Sequence, residues 1–297
     1  MQSGILLLVL AGVCWVLIGV AISHAALKRE NLKRIQADSA ILCAIPAVVL
    51  IGFGKGGTFP AWWIVLLLFL AGTTNYFTFL LMNRAMRYGP HGLVWSIIQS
   101  ALVWPFLFGV ICFGAVCSWL HVVGFLLILC GILAAGKAKN GTAENNNCPL
   151  SGKHWLRIAL GAFVPAGLTQ CINNFPSYLG NADTTPYVRG LLILLGTILG
   201  FTISVCFDRR AAAGKVCWKS VLLLTGANIA SCYFFFYRGL DLAAEAGAGA
   251  IGYPVTLGSC IAGFALYSVF ILRERITIAS ASSFLLCLSG MIAMSIQ

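Results

Sequence analysis

Long apolar runs, broken by short polar segments, set the pattern of the chain. Ten are evident: Ser3–Ala21, Ala40–Phe53, Trp62–Met82, Gly92–Phe113, Trp119–Ala135, Trp155–Phe175, Tyr187–Phe207, Ser220–Tyr237, Ala248–Leu272 and Ile278–Ile296. All but the short second run approach the roughly 20 residues that carry a helix across a bilayer. They are apolar all round, without the two-residue alternation or the roughly ten-residue length of a transmembrane barrel strand. A helix satisfies its own backbone hydrogen bonds in lipid, so all ten are predicted as helices. No basic segment precedes the first run, and the first basic cluster, LKRENLKR, follows it. That run is therefore expected to be a retained span and not a cleaved leader.

Composition strengthens this picture. Hydrophobic residues make up 60% of the 297 and charged residues 9%, against about 45–50% and about 25% in a soluble domain. The longest polar stretch, Lys137 to His154, has 18 residues, too few for a separate soluble domain. The net charge of +11 is distributed by side. Of the 19 Lys and Arg, 16 fall in or beside the loops after spans 1, 3, 5, 7 and 9, and three after the even spans. Basic loops stay in the cytoplasm, so a multi-pass protein of a bacterial inner membrane is expected, with both termini periplasmic. No loop interleaves basic and aromatic residues as a nucleic-acid surface would, so the lipid bilayer and a small molecule are the expected partners, without nucleic acid.

The halves repeat. Gly114–Gly136 aligns over Arg273–Ser295 without a gap, placing Phe125 on Phe284, Leu127 on Leu286, Gly131 on Gly290 and Ala134 on Ala293. Gly72 and Arg84 in span 3 have the same separation as Gly226 and Arg238 in span 8. Spans 3 and 8, and 5 and 10, therefore correspond. The domains are read as a first five-helix repeat over 1–136, a cytoplasmic linker over 137–154 and a second five-helix repeat over 155–297. Five is odd, so the second repeat crosses the membrane in the opposite sense. Inverted repeats mark secondary transporters, which bind substrate near the midplane between the halves.

The eight acidic residues, Glu245 among them, fall in loops or at helix ends. Glu245 reads as an acidic residue at the start of span 9, favoured there by the helix dipole. The polar groups inside spans are neutral. Gln170, Asn173 and Asn174 are spaced to share one face of span 6. Asn75 lies in span 3, Asn228 in span 8, and Trp95 and Gln99 share a face of span 4. Amides are costly against lipid, so they turn inward. Interhelical hydrogen bonding, at about 0.6 kcal/mol per bond, accounts for any one of them. Six on four helices, with Trp15, Tyr76, Tyr233 and Tyr253 nearby, point as a group to an aromatic-walled pocket for a neutral polar solute. Pro105, Pro165, Pro176 and Pro254 interrupt spans 4, 6 and 9 as hinges or as packing kinks. The small-residue run AGAGAIG in span 9 permits close helix approach.

No enzyme is expected. The four histidines have no nucleophile partner at a telling spacing, and GKGG at 54–57 lacks the rest of a phosphate loop. The twelve cysteines form no CxxC pair or ligand set, so no metal and no cofactor are expected. The sequon Asn140-Gly141-Thr142 falls on the expected cytoplasmic side.

The segment AIGYPVTLGSCIAGFALYSVFILRERIT, with RAMRYGPHGLVWSIIQSALVWPF and GFLLILCGIL, resembles the drug/metabolite transporter superfamily and its EamA-like repeats. The resemblance covers the whole chain. Its Arg-Glu-Arg-Ile-Thr resembles the family's Gly-Glu-x-Leu-Thr signature, with Ala115 where the first repeat would carry the counterpart of Glu274. The basic loop after span 1 and AGLTQCINNFP are similar to the sugar-porter (L-rhamnose/glucose) branch. The resemblance implies alternating-access transport of a sugar-like or other small polar metabolite through a cavity lined by helices 1, 3, 4, 6, 8 and 9. Export of amino acids, nucleosides or amphipathic drugs, or a non-transporting scaffold, stays open. So do substrate, direction, coupling ion and oligomeric state. A reporter active only outside the cytoplasm is expected to be active when fused at Gln297; activity of a cytoplasm-only reporter there would reverse the orientation.

Overall fold

A computed structural model describes residues 2–56, 60–114, 118–135, 154–179, 184–245, 252–274 and 277–295. Ala115, the 137–153 portion of the linker, the Asn140 sequon, most of AGAGAIG and Gln297 lie outside these. Among the described residues the fold is all-α, with no strand. The helices are α1 (Gln2–Leu27), α2 (Leu32–Lys55), α3 (Trp62–Met86), α4 (His91–Phe113), α5 (Trp119–Ala135), α6 (His154–Tyr178), α7 (Pro186–Phe207), α8 (Trp218–Glu245), α9 (Gly252–Phe270) and α10 (Ile278–Ser295). Eight are long and apolar enough to cross a membrane. In α5 and α10 the apolar stretches are shorter, Trp119–Gly131 and Ile278–Gly290.

Helix ends depart from the sequence reading where polar residues find partners. The second helix starts at Leu32, well before Ala40. Asn31 caps it by accepting from Arg34 N, and the same amide donates to the Ala211 and Ala213 carbonyls of the α7–α8 loop. The eighth helix continues past Tyr237 through Glu245, so Glu245 belongs to α8 and not to α9. The dipole reading of Glu245 therefore fails, because Glu245 lies far from the N-terminus of the helix that carries it, which starts at Trp218. Pro254 lies near the described start of α9, Gly252–Phe270. Pro105 follows a short 3₁₀ stretch, Ser100–Leu102, inside α4. A π-helical stretch, Ile229–Phe236, interrupts α8 without any proline.

Helix partners reciprocate between the halves. α3 packs on α6 as α8 packs on α1; α3 on α7 as α8 on α2; α4 on α6 as α9 on α1. α2 meets α7, and α5 meets α10. The pattern is the one that a two-fold relation between the halves would give, and the α5–α10 crossing has the same reciprocity at atomic detail. A Cβ on Gly131 would lie 2.6 Å from Cys287 Sγ and 3.1 Å from the Ser283 carbonyl. A Cβ on Gly290 would lie 2.6 Å from the Gly124 carbonyl and 2.8 Å from Ile128 Cγ1. In the repeat alignment Gly131 falls on Gly290, Gly124 on Ser283 and Ile128 on Cys287, so the two contacts are images of each other.

Loop contacts sort the ends of the bundle. Asn31 N donates to Lys215 O at 2.8 Å, and Arg87 Nη2 to Glu30 O at 3.1 Å, joining the loops after α1, α3 and α7. At the other end Thr185 Oγ1 donates to Gly56 O at 3.2 Å. The basic loops after α1, α3 and α7 thus gather at one face. Large apolar side chains such as Leu6, Trp62, Ile111 and Leu285 are exposed around the bundle, the arrangement a lipid belt requires. Gly131→Val and Gly290→Val are each expected to lower stability by about 1–3 kcal/mol through overpacking. Thermal unfolding in detergent should report similar losses, and a large loss in only one would contradict the symmetry.

Candidate functional site

Between the halves lies a cavity of about 130 Å³. Eight helices line it, α1–α4 and α6–α9, while α5 and α10 stay outside. α2 and α7 therefore join the six helices implied by the family resemblance. Eight sequence-predicted residues line it: Trp15, Asn75, Trp95, Gln99, Gln170, Asn173, Asn228 and Tyr253. Three do not. Asn174 is buried and is not among the residues that line the cavity. Tyr76 packs its ring against Gly200 of α7. Tyr233 donates its hydroxyl to the Cys43 carbonyl at 2.8 Å, tying α8 to α2.

Packing fixes the aromatic walls. Trp95 stacks on Phe264 at 4.9 Å. Trp15 lies 4.7 Å from Phe236, whose ring meets Tyr253 edge-on at 5.3 Å. Hydroxyls supply the remaining polar lining. Thr169 on α6 bonds Thr74 on α3 at 2.8 Å, and Thr225 donates to Ser39 at 3.2 Å. Gln36 donates to the Tyr76 carbonyl at 3.4 Å.

Gln36 and Ser39 were missed because their stretch reads as a polar loop; their three-residue spacing on an extended α2 is the signal that would have found them. Gly190 and Thr197 of α7 carried no signal, since a glycine and a lone threonine are ordinary in a membrane helix.

Among the described residues no charged side chain lines this cavity. Two carbonyl oxygens on α6, Gln170 Oε1 and Asn173 Oδ1, are buried without a protein hydrogen-bond partner. They stand one turn apart in a neutral, aromatic-walled space. Such acceptors suit the hydroxyl or amino donors of an uncharged or weakly charged solute.

Charged groups tie the helices at either end. Arg189, 3% exposed at the start of α7, meets Asp241 of α8 at 3.0 Å. Its guanidinium also donates to Thr184 at 2.7 Å and to Ser177 of α6 at 3.0 Å, and lies 5.8 Å from the Tyr237 ring centroid. This cluster joins α6, α7 and α8 beside Gly190, at the end away from the basic loops. Sequence reading left Arg189 and Asp241 as separate loop charges, because their pairing joins two helices. At the basic face, Glu274 accepts from His91 N at 2.6 Å and Gly92 N at 3.1 Å, capping α4 from the α9–α10 connection. Burial pushes the Glu274 carboxyl above its usual range, while those two N–H groups and Ser268 pull the other way. Ser23 Oγ lies 2.8 Å from His91 Nδ1, adding α1 to this tie.

Residues 2–136 match the profile of the EamA-like transporter family. The match agrees with the drug/metabolite transporter superfamily and supports a membrane transporter of that type. A crystal structure described only as that of a protein has the same fold, with a TM-score of 0.65 over 99% of this chain and 96% of its own at 14% identity. No curated protein matches the chain.

Asn173→Ala and Asn174→Ala separate lining from packing. Asn173→Ala is expected to weaken solute binding by about 1–3 kcal/mol, because a solute donor loses its acceptor, with little change in melting temperature. Asn174→Ala is expected to lower the melting temperature and leave affinity near that of the parent. Paired thermal-shift and binding measurements check both, and the reverse pattern would move the site to the other face of α6.

Proposed function

We propose that this protein is a secondary transporter that moves a small, neutral, polar solute, sugar-like or another metabolite, across a bacterial inner membrane by alternating access. The observation that carries the reading is the pair of buried carbonyl oxygens, Gln170 Oε1 and Asn173 Oδ1, which have no hydrogen-bond partner among the described residues, in a cavity whose described lining carries no charge. In this reading Trp15, Trp95 and Tyr253 wall the solute. Asn75, Gln99, Gln170, Asn173 and Asn228 hydrogen-bond it, and the hydroxyls of Ser39, Thr78 and Thr197 complete the shell. Asn174, Tyr76 and Tyr233 hold the helices that carry these groups.

Two five-helix repeats, 1–136 and 155–297 joined by 137–154, would rock about the site. The Arg189–Asp241–Ser177 cluster at one end and the Glu274 cap at the other would open alternately. Both termini would face the periplasm, a reading supported by the basic residues of the loops after α1, α3 and α7 at one face. The apolar part of the wall, Ile18, Phe79 and Met82, also favours an amphipathic solute, as an exporter of amino acids, nucleosides or drugs would bind.

Purified protein in liposomes is expected to carry a labelled sugar or related neutral metabolite down its gradient, with cold solute competing. Asp241→Asn should slow flux at least tenfold if the cluster must re-form in each cycle. Folded protein that carries none of a broad panel of sugars, amino acids, nucleosides and amphipathic cations would favour a scaffold and overturn the proposal.

A further inference from the structure

A second cavity, of about 680 Å³, opens at the basic face, away from the neutral one. It is enclosed by the α1–α2 corner, the end of α3 and the α7–α8 loop. Six cationic residues border it: Arg29, Lys33, Arg84, Arg87, Arg210 and Lys215. Basic residues are ordinary in cytoplasmic loops, but that tendency does not require three separate segments to converge on one space. Here they are held together by structure. Asn31 fastens the α1–α2 corner to the α7–α8 loop through three backbone contacts, and Arg87 bonds the Glu30 carbonyl.

The positive charge is poorly balanced. Among the described residues, Lys33 is the one of the six that pairs with a carboxylate, Asp208 at 3.9 Å. Glu30, the other acid on this wall, is 5% exposed. It turns its carboxylate away toward Ser220 at 3.0 Å and His24 at 3.7 Å. Arg29 occupies the left-handed region at φ 50°, a helix-ending conformation that glycine adopts at less cost. Burial lowers the pKa of the Arg87 guanidinium; Tyr88 opposes this, and the Arg29 charge adds to it. Like charges assembled in this way repel one another unless an anion sits among them.

The remaining wall defines the anion's surroundings. Phe77, Leu80 and Leu81 of α3 border the same space, so an apolar membrane helix runs directly into the basic cluster. Arginine forks match phosphate oxygens bidentately, and several cations suit a group that carries one to two negative charges. Basic pockets beside membrane helices on the cytoplasmic side bind lipid head groups in this manner. We infer that this cavity is a binding site for a phosphate group, held by Arg29, Arg84, Arg87, Arg210 and Lys215. The apolar α3 wall favours the phosphate of an anionic lipid over a free phosphate ester. The site stands apart from the neutral cavity and does not depend on the substrate proposed for it.

The test uses the full chain in a neutral detergent at low salt, with short-chain dioctanoyl phosphatidic acid, glycerol phosphate and inorganic phosphate as probes. The lipid is expected to raise the melting temperature saturably, and dioctanoyl phosphatidylcholine to raise it far less. Arg84→Gln/Arg87→Gln should weaken the apparent affinity for phosphatidic acid at least tenfold. Lys55→Gln/Arg238→Gln, which removes equal charge elsewhere, should change it less than twofold. If the first variant does not fold, Arg210→Gln/Lys215→Gln in the exposed loop gives the same reading. Binding of glycerol phosphate or inorganic phosphate as tight as that of the lipid, with the same loss in the variants, would keep the site and assign it to a soluble phosphate. Failure of all three probes to bind, or binding unchanged in the folded basic-face variants, would overturn the inference.

Discussion

Inside a bilayer, a hydrogen-bonding group has no water to fall back on, and that constraint organises this molecule. Each backbone must close its own hydrogen bonds, which makes every crossing segment a helix. Each polar side chain must then find a partner on another helix or face an internal space. Tyr233 finds the Cys43 carbonyl, Thr74 finds Thr169, and Asn83 donates to the Ile22 carbonyl. Gln170 Oε1 and Asn173 Oδ1 find no protein partner. The central cavity is where hydrogen-bonding capacity remains after the helices have packed.

Charge is handled differently. Around the neutral cavity, ionised groups are kept at the ends of the bundle, each with several partners. Arg189 has a carboxylate, two hydroxyls and an aromatic ring, while Glu274 has two backbone N–H groups at a helix N-terminus. Such clusters are specific in direction and joined to different sets of helices. They can tie one end of a cavity while the other end rearranges. The basic-face cavity follows the opposite rule, because its cations greatly exceed the carboxylate turned toward them.

The two halves are related but not identical. Gly131 and Gly290 make mirrored approaches, which keeps α5 and α10 tightly crossed. Gly72 and Gly226, the other matched pair, differ. A side chain at Gly72 would run into the Ile193 carbonyl, whereas Gly226 faces open space. Glu274 likewise caps α4, while its first-repeat counterpart is Ala115, which cannot accept a hydrogen bond through its side chain. A symmetric frame therefore carries asymmetric ties.

The sequence by itself determined the helical class, the ten apolar segments, the repeat, the excess of basic charge in alternate loops and most of the amides that reach the cavity. Those properties are local or periodic: burial in lipid selects long apolar runs, and the spacing of Gln170 and Asn173 places them on one helical face wherever the helix packs. Tertiary structure decided which polar residues line the cavity, and so separated Asn173 from the adjacent Asn174. It brought in Gln36 and Ser39 by extending α2 through residues that read as a loop, because Asn31 gained partners in a loop about 180 residues away. It also joined Arg189 to Asp241, and six scattered cations to one another. Pairing between distant segments depends on how helices are arranged in three dimensions, and no local pattern of hydrophobic and polar residues records that arrangement.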